Sequence, residues 1–281
     1  MIKSIFDTYG TPILIGLFII LFIIETKFQL RKRVQNRWKR IVINFIVSIP
    51  AFVLLRILFI PIVVWLAVKN QDLHFGLNYL YDLPVWIEAA IAFVLLDYSN
   101  YVWHILLHKL PFMWRFHLVH HTDLDLDITT AFRFHFGELI ASVLFRGAAV
   151  FIIGVSPAIV LIYEIVFEAA TQFHHSNTRL PFHFEKAFNK LFVTPRMHGI
   201  HHSMIKSETD SNFSTIFSFW DRIHRTMRIN IHQNQIVTGV PSYADERELT
   251  IGKLLKLPFT NIRKWEERER PEDGNVDQLK K

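Results

Sequence analysis

Residues 41–68 set the first limit on this chain. They form a run of 28 residues in which Arg56 is the only charge. A stretch so long and so apolar is matched to a lipid bilayer, where a helix satisfies every backbone polar group internally. As one helix it would extend about 42 Å, more than the roughly 30 Å hydrocarbon core, and Pro50 and Pro61 are expected to kink or break it. Further apolar runs occupy residues 11–24, 84–107, 139–153 and 158–170. The last two are each short for a full crossing and are separated by Gly154-Val155-Ser156-Pro157, a turn signal. They read as a hairpin, either fully spanning or re-entrant. Glu25-Thr26-Lys27 follows the first run where a signal peptide would carry small residues, so a retained anchor is expected. The reading is an all-α integral membrane protein with about four to five membrane helices.

Lys and Arg placement sets the expected orientation. The loop after the first run carries Lys27, Arg31, Lys32, Arg33, Arg37, Lys39 and Arg40, whereas residues 69–83 carry only Lys69. The first loop is therefore expected to be cytoplasmic. Residues 109–137 return to the same face, and everything after Gln172 stays there. The basic segment 27–40 reads as this topology signal, with anionic lipid headgroups as its second reading. Nucleic acid is not an expected partner, because orientation already accounts for the charge of +6. Residues 261–281 are mixed in charge and poor in apolar side chains, and read as a solvated or partly disordered tail.

The chain has no cysteine and 15 histidines. Disulfides, Cys-ligated zinc, iron–sulfur clusters and thiol nucleophiles are excluded. The histidines are concentrated in His104/His108, His117/His120/His121 and His198/His201/His202, with His175 as companion. These are an HxxxH and two HxxHH motifs. At this composition an HxxHH arises by chance only about 0.04 times per chain. Residues three and four apart share a helix face, so His104 and His108 converge, and one HxxHH can serve two neighbouring ions. Eight imidazoles are too many for one metal ion and about right for two. The topology places all of them at the cytoplasmic face, in a helical cap.

The motifs carry a resemblance. Asp97-Tyr-Ser-Asn-Tyr-Val-Trp-His104-Ile-Leu-Leu-His108 and His117-Leu-Val-His120-His121 resemble motifs of the fatty acid hydroxylase/sterol desaturase superfamily. So do Arg133-Phe-His135 with Glu138, Phe173-His-His175-Ser-Asn177, Thr194-Pro-Arg-Met-His198-Gly-Ile-His201-His202-Ser, Asp210-Ser-Asn212-Phe213 and Trp220-Asp221-Arg222. The match covers about residues 85–230 in the family's order. It implies a catalytic domain over 85–232, between anchor helices at 1–84 and a cytoplasmic tail at 233–281. The chain departs from the family at Phe136, where Pro is usual, and at Phe213-Ser214, where Tyr-Gly is usual.

The resemblance implies a His-rich di-iron centre, with His104, His108, His117, His120, His121, His175, His198, His201 and His202 as ligands. It also implies O₂ as co-substrate and a lipid that is hydroxylated or desaturated. Unactivated C–H bonds need an oxidant of that strength. Asp97, His135, Glu138, Asn177 and Asp210 are expected to support the ligands from behind, since imidazole ligands usually donate their other N–H to a carboxylate or carbonyl. Asp123, Asp125 and Asp127 read instead as a solvated loop or a helix cap. His174 reads as structural. Glu164 and Glu168 lie in an apolar run, where an ionisable group is a functional hypothesis by default. Glu168 is expected to face the site.

No nucleotide, haem or flavin motif is present, so two electrons must come from an external reductase, ferredoxin or cytochrome. A bacterial inner-membrane enzyme acting on a polar lipid is the expected setting. The competing class is a membrane zinc hydrolase acting on a lipid, although catalytic zinc takes three protein ligands and an open position. A metal transporter would need polar ligands through the bilayer rather than on one side of it.

Overall fold

The computed structural model describes residues 6–269. Among these residues the fold is helical, with isolated β-bridges and no strand. Its long helices are α1 (Thr11–Lys27), α2 (Arg37–Leu54), α3 (Ile60–Leu73), α4 (Val85–Lys109), α5 (Pro111–His121), α6 (Phe136–Ile153) and α7 (Pro157–His175). Short helices follow, among them α8 (Phe182–Phe188) and α9 (Pro195–His201). Among the described residues, four stretches are long and apolar enough to cross a membrane: Thr8–Lys27, Arg37–Tyr79, Val85–Lys109 and Phe136–Ile153. Helix α7 has the length, at 19 residues, but Glu164, Glu168 and Gln172 lower its hydropathy.

Neither proline breaks the second span. Pro50 lies inside α2, and Pro61 sits in the first turn of α3. Between them Leu55–Phe59 forms a π-helical turn. A widened turn there accommodates the ring of Pro61, so the helix runs on without the break that the sequence allowed.

The helix ends sort into two levels. At one level the backbone around Gly76 packs on Gly154, and Asn70 Nδ2 donates to the Val150 carbonyl at 2.9 Å. Gly154 has φ +77°, the left-handed conformation that ends α6 and starts the turn into α7. At the other level lie the end of α1, the start of α2, the ends of α4 and α7, the start of α6, and α5. There Glu25 Oε2 accepts from the backbone N–H of Ile128 at 3.0 Å and of Asn177 at 2.9 Å. The hairpin α6–α7 leaves this level and returns to it, as expected.

Between the levels, Phe59, Val63, Ala67, Ala92, Leu96, Val143 and Tyr163 pack into the main core. Apolar side chains such as Ile13, Ile19, Trp65, Trp86 and Leu144 remain exposed around it. That inversion suits lipid, where small residues and interhelical hydrogen bonds hold helices together.

The loops at the ligand level depart from the sequence reading. Asp123, Asp125 and Asp127 are not solvated: they are 1%, 5% and 1% exposed. Arg40 Nε donates to Asp123 at 2.8 Å and Arg40 Nη1 to Asp127 at 2.7 Å. Asp125 receives the backbone N–H groups of Val34 and Gln35 at 2.9 and 2.8 Å. Asp127 also caps the short helix Ile128–Phe132, the one part of that reading that matches. Within the basic segment 27–40, Arg31 and Arg40 are buried, so they serve as internal ties and not as a headgroup-binding surface. Of the expected tail, residues 270–281 lie outside the described residues. Residues 261–269 carry no helix, yet Ile262 and Trp265 pack against Leu118 and Tyr243.

Candidate metal centre

Four helix ends deliver the nine expected ligands to one place. His104 and His108 occupy the last turns of α4, His117, His120 and His121 the end of α5, His198 and His201 the end of α9, and His202 its cap. His175 closes α7. Pro111 and Pro195 start α5 and α9, with Thr194 Oγ1 capping the latter at 3.3 Å. These short helices therefore have a fixed beginning and end in histidine.

The imidazoles divide into two adjacent groups. His104, His108, His117, His121 and His201 form one, and His120, His175, His198 and His202 the other, with the nitrogens of each within 4.8 Å of one another. Each HxxHH splits in mirrored fashion. The i,i+4 pair His117/His121 enters the first group while His120 enters the second; His198/His202 enters the second while His201 enters the first. Adjacent residues on a helix point about 100° apart, so one helix end reaches both groups.

Hydrogen bonds from behind fix which nitrogen faces inward. His104 Nδ1 meets the Phe213 carbonyl at 2.8 Å, His201 Nδ1 the Ser211 carbonyl at 2.7 Å, and His175 Nδ1 the Thr171 carbonyl at 2.8 Å. A carbonyl only accepts, so each Nδ1 carries the proton and each Nε2 presents a lone pair. His117 Nδ1 lies 3.2 Å from Glu138 Oε2. Asp210 Oδ1 is 3.5 Å from His108 Nδ1 and is itself held by Lys109 and Lys206, both at 2.8 Å.

The fit to metal follows from what is left over. Nε2 of His104, His117 and His201, and both nitrogens of His121, are buried with no hydrogen-bond partner. In the second group the Nε2 atoms of His120, His175, His198 and His202 form a chain of 3.0, 3.0 and 3.1 Å contacts. Buried polar atoms are rarely left unpaired, and lone pairs facing one another without enough protons repel. A cation in each group would satisfy both conditions. Burial, reinforced by neighbouring imidazoles, holds His120, His121, His198, His201 and His202 well below the ordinary imidazole value of 6.5, which keeps their lone pairs available at neutral pH.

The other expected site residues are not all drawn in. Asp97 accepts from the backbone of Ile216 and Phe217 and from Trp220 Nε1 at 3.3, 3.2 and 2.8 Å, and so holds the loop that presents the Phe213 carbonyl. His135 caps α6, taking the Gly137 N–H on Nδ1, while Nε2 meets the Leu255 carbonyl. Both its nitrogens are used outside the clusters. Asn177 clamps the backbone of Arg31 through both side-chain atoms. His174 Nδ1 meets the Thr215 carbonyl at 3.2 Å, outside the two groups although its ring lies beside His198. Sequence reading missed Trp114, whose ring lies 5.0 Å from that of His108 and 5.4 Å from that of His121. It also missed Phe134, stacked on His120 at 5.1 Å. Trp114 lies in no motif, and Phe134 lies inside Arg133-Phe134-His135, where it was passed over in favour of its neighbours.

A cavity of about 580 Å³ opens below the imidazoles and runs between α1, α2, α6 and α7. Its wall is mostly apolar, with Phe18, Phe45, Phe52, Trp103 and Phe132 alongside His104, His117 and His175. Its size is that of a site for a lipid or drug-sized ligand.

Two adjoining groups of imidazoles thus lie above an apolar cavity in a chain with helices of membrane-spanning length. Residues 89–226 match the fatty acid hydroxylase family, and the chain belongs to the fatty acid hydroxylase/sterol desaturase superfamily. Among similar proteins, cholesterol 25-hydroxylase of Rattus norvegicus is 26% identical over 163 residues, covering 57% of this chain and 53% of its own. Ornithine lipid hydroxylase of Rhizobium tropici is 24% identical over 140 residues, covering 50% and 41%. Alkylglycerol monooxygenase of Xenopus tropicalis is 29% identical over 141 residues, covering 48% and 29%. The matched region thus spans about half or less of these relatives. No solved structure matches the chain.

Proposed function

We propose that this protein is a di-iron membrane oxygenase that hydroxylates or desaturates a lipid, with O₂ as co-substrate. The observation that carries the reading is the division of nine buried imidazoles into groups of five and four that face each other above the cavity. Two irons, when bound, supply the means to activate O₂ against an unactivated C–H bond. The nine histidines would hold them. Glu138 and the carbonyls of Phe213, Ser211 and Thr171 fix the tautomers, and Asp210 lends negative charge beside His108. The apolar cavity positions the chain to be oxidised and keeps water from it. A zinc hydrolase is the weaker reading, because a catalytic zinc takes three protein ligands, not five or four. By the Lys/Arg distribution the centre faces the cytoplasm, which suits a soluble reductase, ferredoxin or cytochrome as electron donor and an inner bacterial membrane as the setting.

The test is metal content of the detergent-purified protein, with His120→Ala/His201→Ala as control. About two irons per chain, lost in the double variant, is the expected result. One zinc and no iron after anaerobic loading with Fe(II) would replace this reading with the hydrolase.

A further inference from the structure

The lower wall of the cavity is not apolar. Arg146 on α6 and Glu164 on α7 both line it, and Arg146 Nη2 meets Glu164 Oε1 at 2.5 Å. The guanidinium stacks on the rings of Phe59 and Phe167 at 4.5 and 4.7 Å. Glu168 and Gln172 follow on the same face of α7, one turn apart, and also line the cavity. Gln172 Oε1 is buried with no hydrogen-bond partner, so this polar stripe does not satisfy itself.

Three features argue against a purely structural tie. A buried ion pair can usually be replaced by apolar residues at little loss, so it is a poor brace between two helices. It lies between helices at bilayer depth, where ionisable side chains mark substrate pathways. And it opens onto the cavity that leads to the imidazoles, rather than onto a closed helix interface.

From Glu164 to His175 is eleven residues of helix, about 16 Å, and from Glu138 to Arg146 is eight, about 12 Å. We propose that Arg146 and Glu164 form a subsite for a hydroxyl group carried by the substrate some 12–16 Å from the carbon that is oxidised. A hydroxyl both donates and accepts, so it can donate a hydrogen bond to Glu164 and accept one from Arg146. The wall carries Arg56 and Arg146 against Glu164 and Glu168, so it has no surplus positive charge to hold a carboxylate. A plain hydrocarbon leaves the pair without a partner. The substrate is therefore an amphiphile that enters with its hydroxyl leading, away from the metal centre. This deepens the lipid-oxygenase reading and rests on it for the identity of the cavity's occupant.

The test is equilibrium binding to the metal-loaded protein in detergent, which does not depend on turnover. Radiolabelled hexadecan-1-ol is displaced by unlabelled hexadecan-1-ol, hexadecane or palmitic acid. The expected result is a preference of about tenfold for the alcohol over both competitors. In Arg146→Met/Glu164→Leu, which removes both charges together, the alcohol loses its preference while hexadecane binds as before. No preference in the wild type, or a preference that survives in the double variant, would overturn the proposal. Should the variant not fold, hexadecan-1-ol with a diazirine beside its hydroxyl decides the matter in the wild type. Crosslinks at residues 142–168 support the subsite, and crosslinks confined to the cap overturn it. Binding without oxidation would separate this subsite from the oxygenase reading.

Discussion

Glu138 Oε2 stands 3.2 Å from His117 Nδ1, joining the first turn of α6 to the ligand-bearing end of α5. The contact makes a membrane-crossing helix the back support of an imidazole whose other nitrogen, Nε2, is buried and unpartnered.

Glu138→Gln keeps the size of the side chain and removes its charge. Metal affinity should fall about 10- to 100-fold, the usual effect of losing a partner behind a metal-bound histidine. Competition with a graded series of chelators measures it. An unchanged affinity would show that the contact does not tune the ligand.

His174 and His175 are neighbours with opposite expectations. His175→Ala should lower bound metal in elemental analysis, because its Nε2 contacts both His120 and His198 at 3.0 Å. His174→Ala should retain the metal, because that ring lies outside both groups. Equal losses would place His174 among the ligands.

The buried histidines predict the direction of pH dependence. In the fold His120, His121, His198, His201 and His202 titrate well below 6.5, chiefly through burial, whereas in the unfolded chain they take up protons near that value. Below 6.5 the unfolded state binds more protons, so the metal-free protein should lose stability as pH falls below 6.5 and hold it above. Thermal unfolding with chelator present, from about pH 5 to 8, tests this. In the loaded protein, metal should be released only below 6.5.

Arg40 is 2% exposed and binds Asp123 and Asp127 together. Arg40→Met takes the cation from buried Asp127 and leaves Asp123 only the more distant Arg133 at 3.8 Å, an effect of about 3–5 kcal/mol. Unfolding in detergent should show a large drop in stability. Lys39→Met, next along the chain, removes only the exposed contact with Glu246 and should shift stability by less than about 1 kcal/mol.

A methyl group on Gly137 would overlap the ring of Phe116. Gly137→Ala should push the start of α6 away from α5 and separate Glu138 from His117. Metal affinity should then fall as in Glu138→Gln, with an added loss of stability from overpacking, about 1–3 kcal/mol. A stability loss with normal metal affinity would uncouple the packing from the site.

The converging histidines were legible because their spacing is a local property. HxxxH and HxxHH fix which side chains share a helix face, and hydropathy fixes which helix ends share a membrane face. The apolar runs likewise announced the helices, since a backbone in lipid has few other ways to pair its polar groups. What the sequence could not assign were long-range contacts. The aspartates between His121 and Ile128 look like any polar loop until Arg40, more than 80 residues earlier, is folded onto them. Asp97 lies inside a motif, yet it supports the Phe213 loop and not an imidazole. The carbonyls of Phe213, Ser211 and Thr171 fix three tautomers without leaving a trace in residue type. Composition and period thus determined the membrane helices and eight converging imidazoles, and the family resemblance added His175. Their division into five and four, and the polar wall around Arg146 and Glu164, depend on how α4, α5, α6, α7 and α9 pack, and only the tertiary structure decides that.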